Sequence, residues 1–421
     1  MDVLLCVPEE LSKYVLFEWC SLKDIAKLDQ AYLMHELRAR FLEIVADAKC
    51  SFAHDSKEIS SLATQLSFIK WLVRRNIRVK HICLPNKIQS DVKLMTDLFH
   101  LCGPSLRTMQ LQNDTYYIDC DLLLELMKGH CGTLEKLSFT ESIAPPKLLR
   151  VVSLCTCINT LTLHNCKFCS GDLREGLSCS TLRTFEASDS FLPSAFLKAI
   201  AVGSPLLEVL VLKGTNIISP DDLQVIANNC PLLHTVSLSD SMATDVYMLW
   251  VVQFCRNLRT LEILHAGRSF TNVSFLSIAH YAPLLTRLRM EDCCDVAAGG
   301  LEYALKSCQE LRDLSLECCI SFGIKSVMEC VAKHCPLLTH LTIQCHNRYE
   351  GGGLTAVAEA CAHLKRVTFI SNSPLTDVSL QDTFAAHVEV QEVVDTSLPY
   401  RYFEIYDGYD ARVTFWVDER L

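Results

Sequence analysis

A short apolar pattern, L-x-x-L-x-L, recurs at nearly constant spacing through most of the chain. Its first positions, where other apolar residues sometimes substitute for leucine, are Val79, Leu106, Leu134, Ile158, Leu182, Leu207, Leu233, Leu258, Leu285, Leu311, Leu338 and Leu364. The spacing from Leu106 to Leu364 gives a mean period of about 26 residues, which is typical of a repeat architecture. Within each copy, the alternation x-L-x-L predicts a half-buried strand.

The segment before each strand has a helical period. Its apolar residues recur at i, i+3, i+4 and i+7, as on the buried stripe of a helix. Clear examples are Leu223, Ile226, Ala227, Cys230; Met248, Val251, Val252, Cys255; and Leu301, Ala304, Leu305, Cys308. Each unit is therefore predicted to contain one strand and one helix. Because one such unit cannot bury its apolar face alone, the units are expected to stack into a long array.

The repeat also accounts for many of the 23 cysteines. The position three residues before the start of the pattern is most often cysteine: Cys131, Cys155, Cys179, Cys230, Cys255, Cys308, Cys335 and Cys361. Ser204 and Ala282 occupy the same position. It therefore selects small side chains at a tight helix-to-strand corner, where a free cysteine behaves as a small hydrophobic residue.

Zinc binding is the alternative explanation for some of these thiols. The spacing of Cys155 and Cys157, and of Cys166 and Cys169, resembles that of zinc-ligand pairs. However, Cys155 and Cys166 fall at regular positions of the repeat, and stacked repeats do not obviously bring four sulfur atoms to one metal. Structural packing is therefore the preferred interpretation, and no metal or other cofactor is predicted.

Units that read C-P-x-L-x-x-L-x-L resemble the cysteine-containing subclass of leucine-rich repeats. The segments that begin at Cys230-Pro231 and Cys335-Pro336 are examples. The resemblance covers residues 79–385 and implies about 12 repeats. It implies an α/β fold, a horseshoe-shaped leucine-rich repeat solenoid with parallel strands on the concave face and helices on the convex face. Members of this subclass are often F-box proteins, the substrate receptors of cullin–RING ubiquitin ligases.

Residues 1–48 lack the repeat and are predicted to form three short helices. The segments Val7-Pro-Glu-Glu-Leu11, Val15-Leu16 and Asp24-Ile25 resemble an F-box. The resemblance implies adaptor-binding roles for six residues: Pro8, Glu10, Leu11, Val15, Leu16 and Ile25. Val7 and Asp29 are among the departures from the family pattern. The alternative is a simple helical cap that covers the first edge of the array.

Two further segments flank the repeats. Residues 49–78 are predicted to form a helical linker, in which Lys70, Arg74, Arg75 and Arg78 are expected to lie on a solvated helix face. Residues 386–421 leave the repeat. Their aromatic-rich stretch, residues 400–417, predicts two strands that cover the open edge of the last repeat.

The third, fifth and seventh positions of each strand pattern are expected to face out of the concave sheet. We predict that the target-binding surface includes Thr260, Glu262, Arg287, Arg289, His340 and Arg366. The three arginines and His340 form a group that would suit an acidic or phosphorylated segment. The alternative is a ladder of alternating charge, in which the arginines pair with Glu291, Asp313 and Glu317.

Composition narrows the classes of function. The 421 residues are 50% apolar and 21% charged, enough for a sizeable core, and the formal net charge of −10 argues against nucleic-acid binding. No signal peptide or membrane span is predicted, so we expect a cytoplasmic or nuclear protein with free thiols. No catalytic motif stands out. The expected function is the substrate-recognition subunit of a cullin–RING ligase, with an adaptor and a protein or peptide target as partners. The alternative is a non-catalytic scaffold or inhibitor.

Overall fold

The structure is a computed structural model of the chain. It describes residues 12–13, 16, 20, 22–32, 38–46, 62–85, 91–112, 120–128, 132–140, 143–144, 148–168, 179–215, 219–239, 244–264, 270–291, 298–317, 324–345, 353–371, 384 and 388–394. The chain divides into two compact units, residues 1–207 and 208–421. Each unit is described by itself.

The first unit begins with helices that carry no repeat and continues with strands and helices that alternate. Its helices are α1 (Leu22–Ala31), α2 (Arg38–Val45), α3 (Leu62–Arg75), α4 (Val92–Cys102), α5 (Cys120–Met127), α6 (Leu148–Leu154) and α7 (Ser194–Gly203). Its strands are β1 (His81–Pro85), β2 (Thr108–Gln112), β3 (Lys136–Thr140), β4 (Ile143–Ala144), β5 (Thr160–His164), β6 (Lys167–Phe168) and β7 (Thr184–Ser188).

The second unit alternates strand and helix in its described residues. Its strands are β8 (Val209–Lys213), β9 (Thr235–Ser239), β10 (Thr260–Leu264), β11 (Arg287–Glu291), β12 (Asp313–Glu317), β13 (His340–Cys345), β14 (Arg366–Ser371) and β15 (Glu389–Val394). Its helices are α8 (Pro220–Asn229), α9 (Asp245–Phe254), α10 (Asn272–Tyr281), α11 (Ala298–Ser307), α12 (Ile324–His334) and α13 (Leu354–Ala360).

All repeat strands run parallel within each unit. The order is β1-β2-β3-β5-β7 in the first unit, and consecutive from β8 to β15 in the second. From β1 to β14, each of these strands begins at the third position of L-x-x-L-x-L, as β10 does two residues after Leu258. The predicted α/β leucine-rich repeat solenoid, with strands on one side and helices on the other, is confirmed.

The core lies between the strand layer and the helix layer. The first, fourth and sixth positions of the pattern are buried, for example Leu258, Leu261 and Ile263. The predicted helical stripes are buried as well, including those of α8, α9 and α11. Every second residue of the strands and one side of each helix thus pack against each other in one apolar interior.

Each helix of the second unit that precedes a cysteine or alanine corner ends in the same way. The amide of Cys230 closes the last helical turn on Ile226 O at 2.9 Å, and the amide of Leu233 then bonds Cys230 O at 3.1 Å. Cys308 Sγ donates to Ala282 O of the preceding repeat at 3.5 Å, and Cys361 Sγ donates to Cys335 O at 3.3 Å. A thiol is therefore favoured there both by its small volume and by a weak hydrogen bond between repeats.

Some elements depart from the sequence expectations. Strand β15 pairs with β14 in the repeat register, although the predicted repeat boundary is residue 385. The pattern misses this strand because its first and sixth positions are His387 and Glu392, where the preceding copy has Leu364 and Phe369. The short strands β4 and β6 form a second parallel ladder in the first unit. The aromatic stretch 400–417 lies outside the described residues, and the domain boundaries at residues 48, 78 and 385 stay predictions.

Candidate protein-binding face

The outward side chains of the second unit's strands form a polar surface. In β8 and β10 the inward residues are buried and most outward residues are partly exposed, because successive side chains of a strand point to opposite faces. We call the third, fifth and seventh positions of β8 to β14 the strand face. It offers a partner a regular grid of side chains whose spacing is fixed by the sheet.

The six predicted target-binding residues all lie on the strand face, on β10, β11, β13 and β14. In the third-position row, Thr260 is in register with Arg287, and His340 is in register with Arg366. Asp313 of β12 stands between Arg287 and His340 in the same row. In the fifth-position row, Glu262 neighbours Arg289. The structure therefore brings the residues together but inserts a carboxylate among the cations.

Glu262 is the centre of the first charged cluster. Its side chain is only 14% exposed, and its Oε2 accepts a hydrogen bond from Ser237 Oγ at 2.9 Å. Lys213 Nζ lies 3.6 Å from Oε2, and Arg287 Nε lies 3.4 Å from Oε1. Arg287 Nε also lies 3.5 Å from Asp313 Oδ2. Arg287 is thus shared between carboxylates of the strands on either side of it.

Arg289 is the centre of the second charged cluster. Its Nη2 lies 3.1 Å from Glu317 Oε1 and 3.9 Å from Glu291 Oε2. Ser315 Oγ donates to the same Glu317 oxygen at 2.7 Å. Arg289 Nε is buried and has no hydrogen-bond partner. The two arginines at the centre of the face are therefore engaged with carboxylates and do not form an uncompensated cationic pocket.

Arg366 and His340 make separate contacts. Arg366 donates through Nε and Nη2 to Glu389 Oε2 of β15, at 2.9 and 2.7 Å. His340 Nδ1 lies 2.9 Å from Thr339 Oγ1. Of the predicted group, Arg287 and Arg289 therefore make the ion pairs of the alternating ladder, with Asp313, Glu291 and Glu317. Arg366 pairs instead with Glu389, and His340 contacts a hydroxyl group.

Gln344 is a candidate that sequence reasoning missed. It occupies a seventh, outward position of β13, yet it is only 3% exposed, and its Nε2 has no hydrogen-bond partner. In the sheet register Gln344 lies beside Ile370 of β14, one residue beyond the last paired positions of β12 and β13, Leu316 and Ile343. The sequence gives no sign of this burial, because the repeat assigns Gln344 to an outward position.

The strands of the first unit present different chemistry from the strand face. Their outward residues are mostly hydroxyl or amide side chains: Thr108, Gln110, Gln112, Ser138, Thr140, Thr160, Thr162, Thr184 and Ser188. Gln110 Nε2 donates to Thr140 Oγ1 at 3.0 Å, which links two of them. The charged grid is thus a property of the second unit, although both units repeat the same pattern.

The predicted adaptor-binding residues divide into two groups. Leu16 and Ile25 are fully buried within the chain, so in this conformation they support the fold and have no surface to offer an adaptor. Pro8, Glu10, Leu11 and Val15 lie outside the described residues. The exposed side chains among the described residues of 12–46 are charged, polar or alanine: Asp24, Lys27, Gln30, Ala31, Ala39, Arg40 and Glu43.

Asp29 holds the N-terminal helices together. Its side chain is 7% exposed and accepts hydrogen bonds from Arg38 Nη2 at 3.0 Å, Trp71 Nε1 at 2.7 Å and Arg75 Nε at 3.0 Å. These partners connect α1 to α2 and α3. Arg78 donates to Ala46 O at 3.2 Å. The expectation of a solvated face for Arg75 and Arg78 is therefore wrong, because both satisfy polar groups of the preceding helices.

The described cysteines of the repeat corners are free and buried. Burial raises the pKa of the Cys230 and Cys308 thiols to about 12, so neither is a thiolate near neutral pH. Cys155 and Cys166 are also buried, whereas Cys157 is exposed. Among the residues that the structure describes, no group of three or more His, Cys, Asp and Glu side chains is arranged to hold a metal ion. Within that same part of the chain, no helix is long and apolar enough to cross a membrane.

Comparisons with known proteins support the fold. No family model and no curated protein sequence matches this chain. It is similar in structure to a chain of the crystal structure of the yeast Rad7 and Elc1 complex, with a TM-score of 0.51 and 14% sequence identity. The match covers 91% of this chain and 96% of that chain. At this identity the similarity concerns the fold alone.

Proposed function

We propose that this protein is the substrate-recognition subunit of a cullin–RING ubiquitin ligase and performs no chemistry itself. The observation that carries the binding role is the strand face, where charged and hydroxyl side chains stand partly exposed on a rigid parallel sheet. Rigid elements hold recognition groups more precisely than loops do. A protein or peptide target would lie against Thr260, Glu262 and the charged residues of the neighbouring strands.

The N-terminal module would bind the adaptor. Its resemblance to an F-box supports this role, and so does the fold similarity to a chain crystallised in the yeast Rad7 and Elc1 complex, which contains a second protein. Contact with the adaptor is proposed for Pro8, Glu10, Leu11 and Val15. Leu16 and Ile25, which are buried, would keep the module folded. A cytoplasmic or nuclear location would suit this role.

The test is co-purification of the full chain with a recombinant adaptor subunit of a cullin–RING ligase. Removing residues 1–48 is a poor variant, because it also removes Asp29 and the hydrogen bonds that join α1 to α3. Leu11→Asp and Val15→Asp are better suited, with Gln30→Ala on the exposed side of α1 as the control. We expect the parent and the control to retain the adaptor and both aspartate variants to lose it, at unchanged melting temperature. A folded parent chain that does not retain the adaptor would refute the proposal.

A capped scaffold or inhibitor is the second candidate, and one specific observation favours it. In the described part of residues 12–46, the large apolar side chains are buried or half-buried and the outer surface is polar. The centre of a protein interface is usually depleted in charge and rich in apolar or aromatic side chains. If the adaptor does not bind, this arrangement supports a helical cap whose only task is to seal the first repeat.

A further inference from the structure

The second unit has a further exposed edge, which lies where its helices end and its strands begin. Three positions of each repeat line this edge: the two residues before the pattern L-x-x-L-x-L and the second residue of the pattern. We call these positions, from the repeat of β9 to that of β14, the starting edge. Main-chain hydrogen bonds of 2.8 Å join the second positions of successive repeats: His234, Arg259, Thr286, Arg312, Thr339 and Lys365. These residues are therefore held one strand spacing apart, about 4.8 Å.

Leucines and cations alternate along the starting edge. In the repeats of β9, β11 and β13, proline and leucine precede the pattern, as Pro231-Leu232, Pro283-Leu284 and Pro336-Leu337. In the repeats of β10, β12 and β14 this leucine is absent, and the second position is a cation: Arg259, Arg312 and Lys365. Leu232 and Leu284 are 40% and 45% exposed. Like residues thus recur at every second strand, about 10 Å apart.

The charges of the starting edge are mostly positive. Its charged residues are four exposed cations and one carboxylate, namely Arg256, Arg259, Arg312, Lys365 and Glu310. Within the described part of the chain, no ion pair or side-chain hydrogen bond engages any of the four cations. The neighbouring carboxylates face other groups: Asp313 Oδ2 lies 3.5 Å from Arg287 Nε, and Glu208 Oε2 lies 3.9 Å from His234 Nε2. The edge is therefore a positive region on a chain whose net charge is −10.

The helix ends beside the starting edge do not cancel this charge. The last turns of α11 and α12 carry Lys306 and Lys333, and the last turn of α13 carries Glu359. Lys333 Nζ pairs with Glu302 Oε1 at 2.8 Å, and the charges of Lys306 and Glu359 offset each other. An approaching anion therefore meets the unpaired cations of the edge.

An acidic polypeptide complements both components of the starting edge. Its carboxylates would be attracted to the cations, and its apolar side chains would remove the exposed leucines from water. The phosphates of a nucleic acid would neutralise the cations but would offer the leucines no apolar contact. One turn of a polyproline II helix takes three residues and rises about 9 Å, which matches the distance between successive cations of the edge.

We propose that the starting edge binds an acidic polypeptide segment that places a carboxylate about every 10 Å, with apolar side chains between the carboxylates. The carboxylates pair with Arg259, Arg312 and Lys365, and the apolar side chains lie on Leu232 and Leu284. This surface is additional to the strand face, where the arginines already pair with carboxylates. The inference goes beyond the proposed function, because it holds whether or not the chain binds an adaptor.

The test selects phage-displayed random 12-residue peptides on the purified full chain without any adaptor. A parallel selection uses a triple variant with Arg259→Glu, Arg312→Glu and Lys365→Glu, whose melting temperature should match that of the parent because all three side chains are exposed. We expect the peptides enriched only on the parent to carry acidic and apolar residues, and to bind more weakly in fluorescence anisotropy as salt is raised. No enrichment that depends on the parent's cations, or enrichment of peptides without acidic residues, overturns the proposal. A poly-dT oligonucleotide that binds the parent but not the variant, and that no selected peptide displaces, also overturns it.

Single substitutions separate the two components, with Lys325→Gln at the other end of α12 as the control. Arg312→Gln should weaken binding of an enriched peptide about two- to fivefold, as expected for one exposed ion pair. Leu284→Ser should weaken it about fivefold and leave its salt dependence unchanged, because only apolar contact is lost. Unchanged affinity with Leu284→Ser, or equal losses with Lys325→Gln and Arg312→Gln, would contradict the inference.

Discussion

The N-terminal helices and the repeats of the second unit are stabilised in different ways. Helices α1, α2 and α3 converge on one buried carboxylate, that of Asp29, which satisfies two arginines and an indole. The repeats of residues 208–394 instead stack equivalent apolar positions, such as Val236, Leu261 and Leu288, on successive strands. In the described part of the first region, one buried carboxylate joins three helices. The second region distributes its stability over many similar contacts.

This difference indicates where each region is sensitive to substitution. A repeat array is stabilised approximately by a sum of neighbouring interfaces, so a substitution in one repeat is felt mainly by that repeat and its neighbours. A short helical module has too little apolar surface to fold on burial alone. Its specific hydrogen bonds therefore matter more, and removing one central group should affect all three helices together.

The largest effect is expected from Asp29→Ala. The substitution leaves the guanidinium groups of Arg38 and Arg75 and the indole of Trp71 without their common acceptor, and breaking such a buried pair costs about 3–5 kcal/mol. We expect hydrogen exchange of α1, α2 and α3 to accelerate while that of β8 to β14 stays as in the parent chain. Mass spectrometry of exchanged peptides measures both regions in one sample.

Gln30→Ala is the matched control in the same helix. Gln30 is exposed, so its substitution should change the free energy of unfolding by no more than about 0.5 kcal/mol. Equal acceleration of exchange in the two variants would show that Asp29 is not the centre of the module, and the contrast between the two regions would fail.

The next effect separates two kinds of position within the repeats. Leu261 is a fully buried, inward residue of β10. Leu261→Ala therefore leaves a cavity in the core and should lower the free energy of unfolding by about 2–5 kcal/mol. Cys230→Ala is its matched control, because Ala282 fills the equivalent corner of another repeat. We expect the control to cost less than about 1 kcal/mol, since few atoms are removed. Urea titrations of both variants measure the difference, and equal losses would contradict the assignment of positions.

The repeat was predictable because its signals are local and occur many times. The period, the strand starts and the small corner residue all follow from which positions are apolar or small, and many copies agree in phase. Strand β15 was missed because its copy of the pattern has lost two apolar positions, at His387 and Glu392. A repeat that has lost an apolar position is recognisable only through the neighbour with which it pairs.

The polar contacts were less predictable because they join residues far apart in the sequence. The sequence shows Asp29 only as an unusual charge in a helix, and its partners Trp71 and Arg75 lie more than forty residues away. On the strand face, the repeat predicts which charged residues stand side by side on adjacent strands. The alternating ladder of charges could therefore be included as an alternative in the sequence analysis. The burial of Gln344 was not predictable, since the outward position that the repeat assigns to it predicts exposure.

The smallest predicted effect concerns Asp245, the first residue of α9, which caps the N-terminus of the neighbouring helix α10. Its Oδ1 accepts from the amides of Thr271 and Ser274 at 3.0 and 3.2 Å, and its Oδ2 from Thr271 Oγ1 at 2.6 Å. Desolvation acts to raise the pKa of this carboxyl, but the hydrogen bonds from Ser274 and Thr271 outweigh it and place the pKa below its usual value. Asp245→Asn keeps one acceptor oxygen and should cost about 1 kcal/mol at neutral pH, as the loss of a helix cap does.

The loss of unfolding free energy caused by Asp245→Asn should depend on pH in a definite direction. Because the folded chain holds the pKa of Asp245 below its unfolded value, the carboxylate contributes stability above about pH 4, and the contribution is lost as the pH falls below that value. The difference between the parent chain and Asp245→Asn in urea titrations should therefore be constant from pH 7 to pH 5 and shrink in more acidic buffer. Asp221→Asn, at an exposed acid in the first turn of α8, should show a smaller difference throughout. If the loss of unfolding free energy caused by Asp245→Asn grew as the pH was lowered, the negative charge of Asp245 would not be what stabilises the cap.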